Sequence, residues 1–169
     1  THIAYIIGVC HDFGKATTFF QARILKGYTG KNTHHALFSA IFCYYVIHEV
    51  TGNELYAFIS FLIVKKHHGN LETPDELDEA DKRIIKEQYQ DIKDNHFLEV
   101  ESIYNKLLAE FHVGWKELWN ALNIDDFFNL SEDFYYLIED TVQNENKIEL
   151  FLLTNLLFSC LIDSDKKDA

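Results

Sequence analysis

Apolar residues run through the chain at helical spacing, in long stretches that few turn residues interrupt. Only one Pro and seven Gly occur among 169 residues, and side chains that recur every three or four positions share one face of an α-helix. The pattern predicts an all-α fold. The predicted helices cover about residues 1–11, 15–25, 34–50, 53–67, 97–111, 114–122, 131–144 and 146–163, with a loop at 26–33. The last helix is the most apolar, and we expect it to be central in the core.

Residues 75–96 break this pattern, because they are strongly charged and contain few apolar positions. Such a segment is typical of a solvated helix or of an excursion that projects from the fold. We therefore expect it to lie outside the core.

The length and composition fit a single domain that covers residues 1–169. Apolar residues form 47% of the chain and aromatic residues 15%, which is enough to fill one core and too much for a disordered chain. The most apolar stretches are shorter than the roughly 20 residues that a membrane-spanning helix needs. We expect no membrane association and a cytoplasmic location.

The three cysteines, Cys10, Cys43 and Cys160, lie far apart, and each falls within an apolar run. Their odd number argues against a disulfide framework, and no C-x-x-C spacing indicates a zinc site. We expect all three to be thiols in the core of a protein from a reducing cytoplasm.

The formal net charge of -12 bears on function. Nucleic acids are usually bound by basic surfaces that displace counterions from the phosphates. We therefore expect the isolated chain to bind DNA weakly.

Two apolar helices are predicted to end with pairs of side chains that can bind metals. The sequence CHDFGK places His11 and Asp12 at the end of one helix, and FLIVKKHHG places His67 and His68 at the end of another. Each pair precedes a glycine, at position 14 or 69, that can close a helix in the left-handed conformation. The C-terminal end of a helix also favours a cation, because the helix dipole is negative there.

Further candidate ligands lie in two other places. His35 and Ser39 are four residues apart and share one helix face, whereas the neighbouring His34 points elsewhere. The last helix runs into Asp163 and Asp165, and a carboxylate that leaves a core helix must be exposed, paired or bound to metal. Each motif alone is more often structural than functional, but together they indicate one metal site. We assign no such role to His2, His48, His96 and His112.

These motifs, in this order, resemble the HD domain of the nuclease-helicase of type I CRISPR systems. The matching residues are His11-Asp12-Phe13-Gly14-Lys15, His35-Ala36-Leu37-Phe38-Ser39-Ala40, His67-His68-Gly69 and Asp163-Ser164-Asp165, with Phe20-Gln21 after the first motif. An H-D pair marks the whole HD superfamily, and the Phe-Gln and H-H-G motifs narrow the resemblance to this branch. The resemblance covers about residues 1–70 and 150–166.

The resemblance implies an all-α HD-domain helical bundle that holds one or two divalent metal ions. The implied ligands are His11, Asp12, His35, His67, His68 and Asp165, with Asp163 as the second choice. Mixed imidazole and carboxylate ligands favour manganese, iron, cobalt or nickel, and magnesium is less suited because it prefers oxygen ligands.

The resemblance also implies roles for individual residues. Asp12 would bridge two ions, and Lys15 would face a phosphate oxygen, although a solvated lysine at a helix start is an equally good interpretation. The family normally carries another His ligand well upstream of the H-D pair, and His2 is too close to be that ligand. We expect it to lie outside this sequence, or the first metal position to have one ligand fewer.

The implied function is hydrolysis of phosphodiester bonds in single-stranded DNA, as an endonuclease or exonuclease in CRISPR interference, with Asp12 and Lys15 as catalytic residues. A helicase and the crRNA-guided surveillance complex would deliver the strand. The chain has no helicase motifs, so we expect a stand-alone protein or a fragment of a helicase fusion. Two alternatives stay open: an HD phosphohydrolase that acts on nucleotides or cyclic nucleotides, which fits the negative charge better, and a non-catalytic helical adaptor with residual histidines.

Overall fold

The computed structural model describes residues 2–69, 71, 77–131, 134 and 147–168, and all regular secondary structure in these residues is helical. The predicted all-α fold is therefore confirmed. The helices are α1 (His2–Cys10), α2 (Thr18–Lys26), α3 (Ala36–Thr51), α4 (Glu54–Lys65), α5 (Glu79–Asp91), α6 (Phe97–Ala109), α7 (Trp115–Ala121), α8 (124–131) and α9 (Lys147–Asp168).

Short turns connect several of these helices. Single 3₁₀ turns occur at Phe13–Ala16 and Lys31–Thr33, and a π-helical turn at Ile92–His96 joins α5 to α6. The sequence pattern missed α8, which begins after Asn123; the side-chain oxygen of Asn123 accepts a hydrogen bond from the backbone N–H of Asp125 at 3.0 Å. The helix predicted over 131–144 lies almost entirely outside the described residues.

A hairpin of α3 and α4 forms the centre of the core. The two helices pack against each other more extensively than any other described pair. Gly52, with φ of 61°, ends α3 in the left-handed conformation, and Asn53 caps α4 by accepting the N–H of Tyr56 at 3.0 Å. Helix α1 packs across α3 and also contacts α4. The ends of α1 and α4 are therefore close in space.

The segment after α1 is fixed to this core by an aromatic side chain. Phe13 is buried, stacks on Phe42 with 3.8 Å between ring centroids, and meets Phe38 edge-on at 5.3 Å. Such aromatic pairs add to the free energy gained from burial alone. The position of Phe13 constrains the residues on either side of it, including Asp12.

The prediction that the last apolar helix is central was wrong. Helix α9 contacts α1 and α4 with one face, and only Leu157 and Leu161 are buried among its described side chains. Its other face exposes Phe151, which is 66% accessible. The apolar stripe of α9 is wider than the surface that α1 and α4 cover. Cys160 lies on the exposed side, so only Cys10 and Cys43 are core thiols as predicted.

Of the two forms predicted for the charged segment, its described part (77–96) has the first, because it contains a helix whose charged faces are exposed. The expectation that it lies outside the core was wrong, because one face of α5 and the turn after it pack against the core. Ile85, Gln88 and Ile92 are buried, whereas the charged side chains lie on the other faces of α5. The side-chain amide N–H of Gln88 donates to the carbonyl oxygens of Asn32 at 2.8 Å and His34 at 2.9 Å. A few apolar positions in one stripe are enough to dock a polar helix. Helix α5 thereby holds the loop that leads into α3.

None of the helices in the described part of the chain combines the length and apolar character that crossing a membrane requires.

The hydrogen bonds of Gln88 generate a stability prediction. Gln88→Leu leaves two loop carbonyls without their donor, and it also removes a buried side-chain oxygen that accepts no hydrogen bond. We expect a net loss of about 1–2 kcal/mol in the free energy of unfolding, measured by urea denaturation. Gln90→Leu, the same change at an exposed position of the same helix, is the control and should have little effect. Equal midpoints for both variants would show that α5 does not hold this loop.

Candidate metal centre

His11 and Asp12 follow α1 directly and form one group of candidate ligands with Asp165 of α9. The Nδ1 of His11 lies 2.7 Å from the carbonyl oxygen of Gly8. Because a carbonyl can only accept, Nδ1 carries the proton, and the other ring nitrogen, Nε2, is directed at the carboxylates. This Nε2 lies 3.3 Å from Oδ2 of Asp12 and 3.5 Å from Oδ1 of Asp165. One ligand atom from each of the three residues lies within 4.8 Å of the other two.

His35, His67 and His68 form a second group with the same spacing. His67 and His68 lie in the turn that follows α4, and His35 immediately precedes α3. The Nδ1 of His67 donates to the carbonyl oxygen of Val64 at 2.5 Å, which leaves its Nε2 for another partner. The Nε2 atoms of His35 and His68 are 3.1 Å apart. Two imidazole nitrogens at this distance need a proton or a cation beside them, because their lone pairs repel.

Asp12 joins the two groups. Its Oδ2 faces His11, and its Oδ1 lies 3.3 Å from Nε2 of His35. One carboxylate therefore contacts a histidine from each group. A carboxylate in this position could be a ligand to two metal ions at once.

The charges of the site are strongly coupled. Burial raises the pKa of the Asp12 carboxyl, but the nearby His11, His35 and Lys15 outweigh burial and hold that pKa far below its usual range. Burial lowers the pKa of His11, yet the adjacent Asp12 outweighs this and the net change is upward. Asp12 is therefore ionised at neutral pH.

The pKa values of His67 and His68 are both lowered, in contrast to that of His11. Burial, followed by repulsion from the surrounding histidines, lowers the pKa of His67 to about 4. Burial and the neighbouring His35 also lower the pKa of His68. Both rings are therefore neutral at pH 7, which is the form that binds metals.

Two buried atoms at the junction of the groups lack hydrogen-bond partners. Nε2 of His67 and Oδ1 of Asp12 are buried and take part in no hydrogen bond. Leaving such atoms unsatisfied costs on the order of 1–3 kcal/mol each. A divalent cation would satisfy both, and imidazole nitrogens with carboxylate oxygens are a common ligand set for transition metals. The residues present thus fit a metal ion, and the structure has His and Asp groups that could hold one.

Gly14 brings the first group against the second. Its N–H donates to Oγ of Ser39 at 2.8 Å, and its carbonyl accepts the hydroxyl of Thr17 at 2.9 Å. A Cβ at position 14 would lie 2.6 Å from the carbonyl oxygen of His35. Glycine is thus needed for close approach to His35. The expectation that it closes α1 in the left-handed conformation was wrong, because its φ is not positive.

The same correction applies to Gly69. Helix α4 ends at Lys65, and the N–H of Gly69 donates to the carbonyl of Lys66 at 2.8 Å, again without a positive φ. His67 and His68 consequently lie in a turn beyond α4 and not in its last helical residues. This turn directs both rings toward His35.

Lys15 and the Phe-Gln motif line one side of the site. Nζ of Lys15 lies 2.7 Å from Oδ2 of Asp12, and 5.9 Å from the centre of the Phe20 ring. Phe20 packs edge-on against His35 at 5.0 Å, and the amide of Gln21 donates to the carbonyl of Lys15 at 2.8 Å. Sequence reasoning gave Phe20 no physical role; the structure shows that it supports His35.

The two candidate aspartates of α9 differ in their surroundings. Asp163 forms an ion pair with Lys167 at 2.5 Å on an exposed face, whereas Asp165 faces His11. Both lie inside α9, which continues to Asp168 and therefore extends past the end predicted at residue 163. Of these two aspartates, Asp165 alone belongs to a candidate ligand group.

The remaining histidines lie outside both groups. His2 packs against Phe111 at 5.7 Å, and His48 stacks on Tyr44 at 6.0 Å. His96 contacts the hydroxyl of Thr18 at 2.9 Å. His34 and His112 are exposed.

Comparisons of the chain with protein-family models, with curated proteins and with solved structures find no match. The interpretation of the site therefore depends on its residues and their geometry. That geometry supports a candidate metal centre formed from four segments distant in sequence.

The close contact at Gly14 generates a second prediction. Gly14→Ala should push His35 away from Asp12, and we expect about 1–3 kcal/mol of destabilisation together with at least tenfold weaker binding of Mn²⁺ or Ni²⁺ in calorimetric titrations. Gly8→Ala is the control, since nothing lies within 4 Å of its added Cβ and alanine is favoured inside a helix. If Gly14→Ala bound metal as tightly as wild type, the contact would not be required for the site.

The unpartnered nitrogen of His67 generates a third prediction. His67→Leu should change the stability of the metal-free protein by only about 1 kcal/mol, because the loss of one hydrogen bond is offset by removal of a buried unsatisfied atom. The increase in melting temperature on adding Mn²⁺ or Ni²⁺ should largely disappear. His34→Ala, at an exposed histidine outside both groups, should behave like wild type. A metal-induced shift that survives His67→Leu would exclude His67 as a ligand.

Proposed function

We propose that this chain is a divalent-metal-dependent hydrolase that cuts phosphodiester bonds of single-stranded DNA. The observation that carries the proposal is the pair of three-residue ligand groups connected by the Asp12 carboxylate. Adjacent divalent ions are suited to phosphodiester hydrolysis, because they supply a nucleophile at neutral pH and neutralise charge on the phosphate. The motif-level resemblance to HD-type CRISPR nuclease domains points to the same chemistry.

The residues of the chain have separate tasks in this proposal. Asp12, whose pKa the nearby His11, His35 and Lys15 hold far below its usual range, would be a ligand at both metal positions. The neutral rings of His67 and His68 would hold a metal at one position. His11 and Asp165 would hold a metal at the other. Each of His11 and His67 has its Nδ1–H fixed by a backbone carbonyl, which orients the ring and fixes its tautomer.

Lys15 provides positive charge at the edge of the site. In this structure its ammonium pairs with Asp12. A phosphate oxygen that approaches the metal positions would meet the same ammonium, which gives Lys15 the task of binding the phosphate. The pairing with Asp12 holds Lys15 in place for that task.

The ligand set favours some metals over others. Four imidazoles and two carboxylates suit manganese, iron, cobalt or nickel better than magnesium, whose preferred ligands are oxygens. We therefore propose a transition metal as the natural cofactor, with one ion or two.

We further propose that partners deliver the strand. With a net charge of -12, the chain has little general attraction for DNA. A helicase and a crRNA-guided surveillance complex in the cytoplasm would present displaced single strands to the site. This domain would contribute mainly the cutting step.

A second candidate function is hydrolysis of nucleotides or cyclic nucleotides. The observation that favours it is the same negative charge, because a small substrate needs no extended basic surface. A metal-free protein with no hydrolase activity would instead point to a non-catalytic helical adaptor.

The test compares Asp12→Asn with Asp163→Asn. We expect Asp12→Asn to reduce cleavage of a 5′-labelled single-stranded DNA by about a hundredfold or more, since the carboxylate would no longer bind metal. Asp163→Asn removes a carboxylate from the same protein outside both groups and should cut like wild type. Rates with Mn²⁺, Co²⁺ or Ni²⁺ should exceed those with Mg²⁺, and an intact duplex should be cut poorly.

Several results would redirect the proposal. Release of phosphate or nucleoside from mononucleotides without oligonucleotide cutting would select the nucleotide hydrolase. Equal or faster rates with Mg²⁺ would argue against a histidine-rich centre. Undiminished cutting by Asp12→Asn would place the chemistry elsewhere.

A further inference from the structure

The charges of this chain are segregated along the sequence. Residues 13–48 contain Lys15, Arg23, Lys26 and Lys31 but no Asp or Glu, so that all 27 acidic residues lie elsewhere in a chain with 15 basic ones. This interval includes α2, the loop after it and most of α3. A basic segment of this kind within an acidic protein is a local exception to its overall repulsion of phosphate.

The basic side chains of this segment are available to a ligand. Arg23, Lys26 and Lys31 are exposed, and none of them forms an ion pair with another described residue. Several basic residues elsewhere are paired with carboxylates. Examples are Lys86 with Asp125 at 2.8 Å, Lys116 with Glu101 at 3.8 Å and Lys167 with Asp163 at 2.5 Å.

The basic segment adjoins the candidate metal centre. Phe20, in the first half of α2, packs on His35, and Arg23 follows Phe20 by three positions on the same side of the helix. Lys31 begins the 3₁₀ turn that leads into His34 and His35. Lys15 lies at the site itself, beside Asp12. The positive charges thus extend outward from the metal-binding groups along α2 and its following loop.

Exposed apolar and aromatic side chains lie among these charges. Ile24 is 67% accessible, Leu25 75% and Tyr28 47%. Stacking of bases on aromatic side chains, combined with cations that follow the phosphates, is how proteins bind single strands without sequence preference. A duplex, whose bases are already stacked, would gain only from the cations.

We propose that the surface formed by Arg23, Lys26, Tyr28 and Lys31, here called the α2 surface, binds the backbone and bases of single-stranded DNA next to the metal centre. The cations hold consecutive phosphates, Tyr28 stacks on a base, and Lys15 meets the phosphate that reaches the ligand groups. The choice of DNA as the strand rests on the proposed function. The acidic remainder of the chain confines the strand to this surface.

The test is a binding measurement in the presence of EDTA, so that cleavage cannot occur. Fluorescence anisotropy of a labelled 20-nucleotide oligothymidylate is recorded against salt for wild type and for the triple variant R23Q/K26Q/K31Q. We expect the triple variant to bind about tenfold or more weakly at 0.1 M salt, and the slope of log affinity against log salt to fall by about two. The control triple K93Q/K106Q/K116Q removes the same charge from exposed positions outside the α2 surface and should bind like wild type.

A second variant tests for base contact. Tyr28→Ala should weaken binding of the oligothymidylate by about fivefold or more while leaving binding of inorganic polyphosphate unchanged. The assignment to single strands is overturned if wild type binds no oligothymidylate at low salt, if both triple variants lose affinity equally, or if Tyr28→Ala weakens neither ligand.

These outcomes are separable from those of the proposed function. Metal-dependent cutting without an effect of the R23Q/K26Q/K31Q triple would leave the hydrolase standing and remove the α2 surface. If strand binding depends on this surface but no metal supports cutting, the α2 surface stands and the proposed hydrolase activity is excluded.

Discussion

The close approach of Gly14 to the backbone of His35 is the constraint on which the candidate site depends. Position 14 has no room for a side chain, since an added Cβ would lie 2.6 Å from the carbonyl oxygen of His35. The hydrogen bond to Ser39 and the stacking of Phe13 on Phe42 hold the two segments in contact. Asp12, two residues before Gly14, is thereby placed beside His35.

This placement leaves polar atoms of Asp12 and His67 buried without partners, and adding protons would satisfy only some of them. Asp12 is ionised, the buried His67 resists protonation, and both have a buried atom without a hydrogen bond. A proton on His67 would relieve one atom but would add a charge among other imidazoles. A divalent cation at the same place supplies positive charge where the carboxylate is and accepts the neutral nitrogen as a ligand. The stability of the core, formed mainly by α3 and α4, allows the fold to hold such an unsatisfied arrangement.

Most of the fold and the identity of the candidate ligands could be predicted from sequence, because both depend on local patterns. Helical spacing of apolar residues predicted the helices, and metal-competent side chains next to apolar helices identified His11, His35 and His67. What could not be predicted was how the helices pack against one another in three dimensions. Hydropathy does not say how much of an apolar helix its neighbours cover, so α9 was expected in the centre.

The other errors have related causes. Charge density hid the narrow buried stripe of α5 and the turn after it, because Ile85, Gln88 and Ile92 are few among many polar residues. A glycine after a helix suggested a left-handed cap, whereas Gly14 is required by the approach of a segment about twenty residues away in sequence. The role of Phe20 against His35 likewise depends on a contact that no periodicity encodes.

Helix α9 supplies Asp165 to the first ligand group, yet Leu157 and Leu161 are its only buried described side chains. A ligand on a helix with so few buried contacts couples metal binding to the docking of that helix, because each state in which α9 separates from α1 also removes a ligand. The second group lies just before α3 and just after α4, the two best-packed helices, and has no such dependence. The two metal positions are therefore expected to differ in affinity because their surroundings are packed differently.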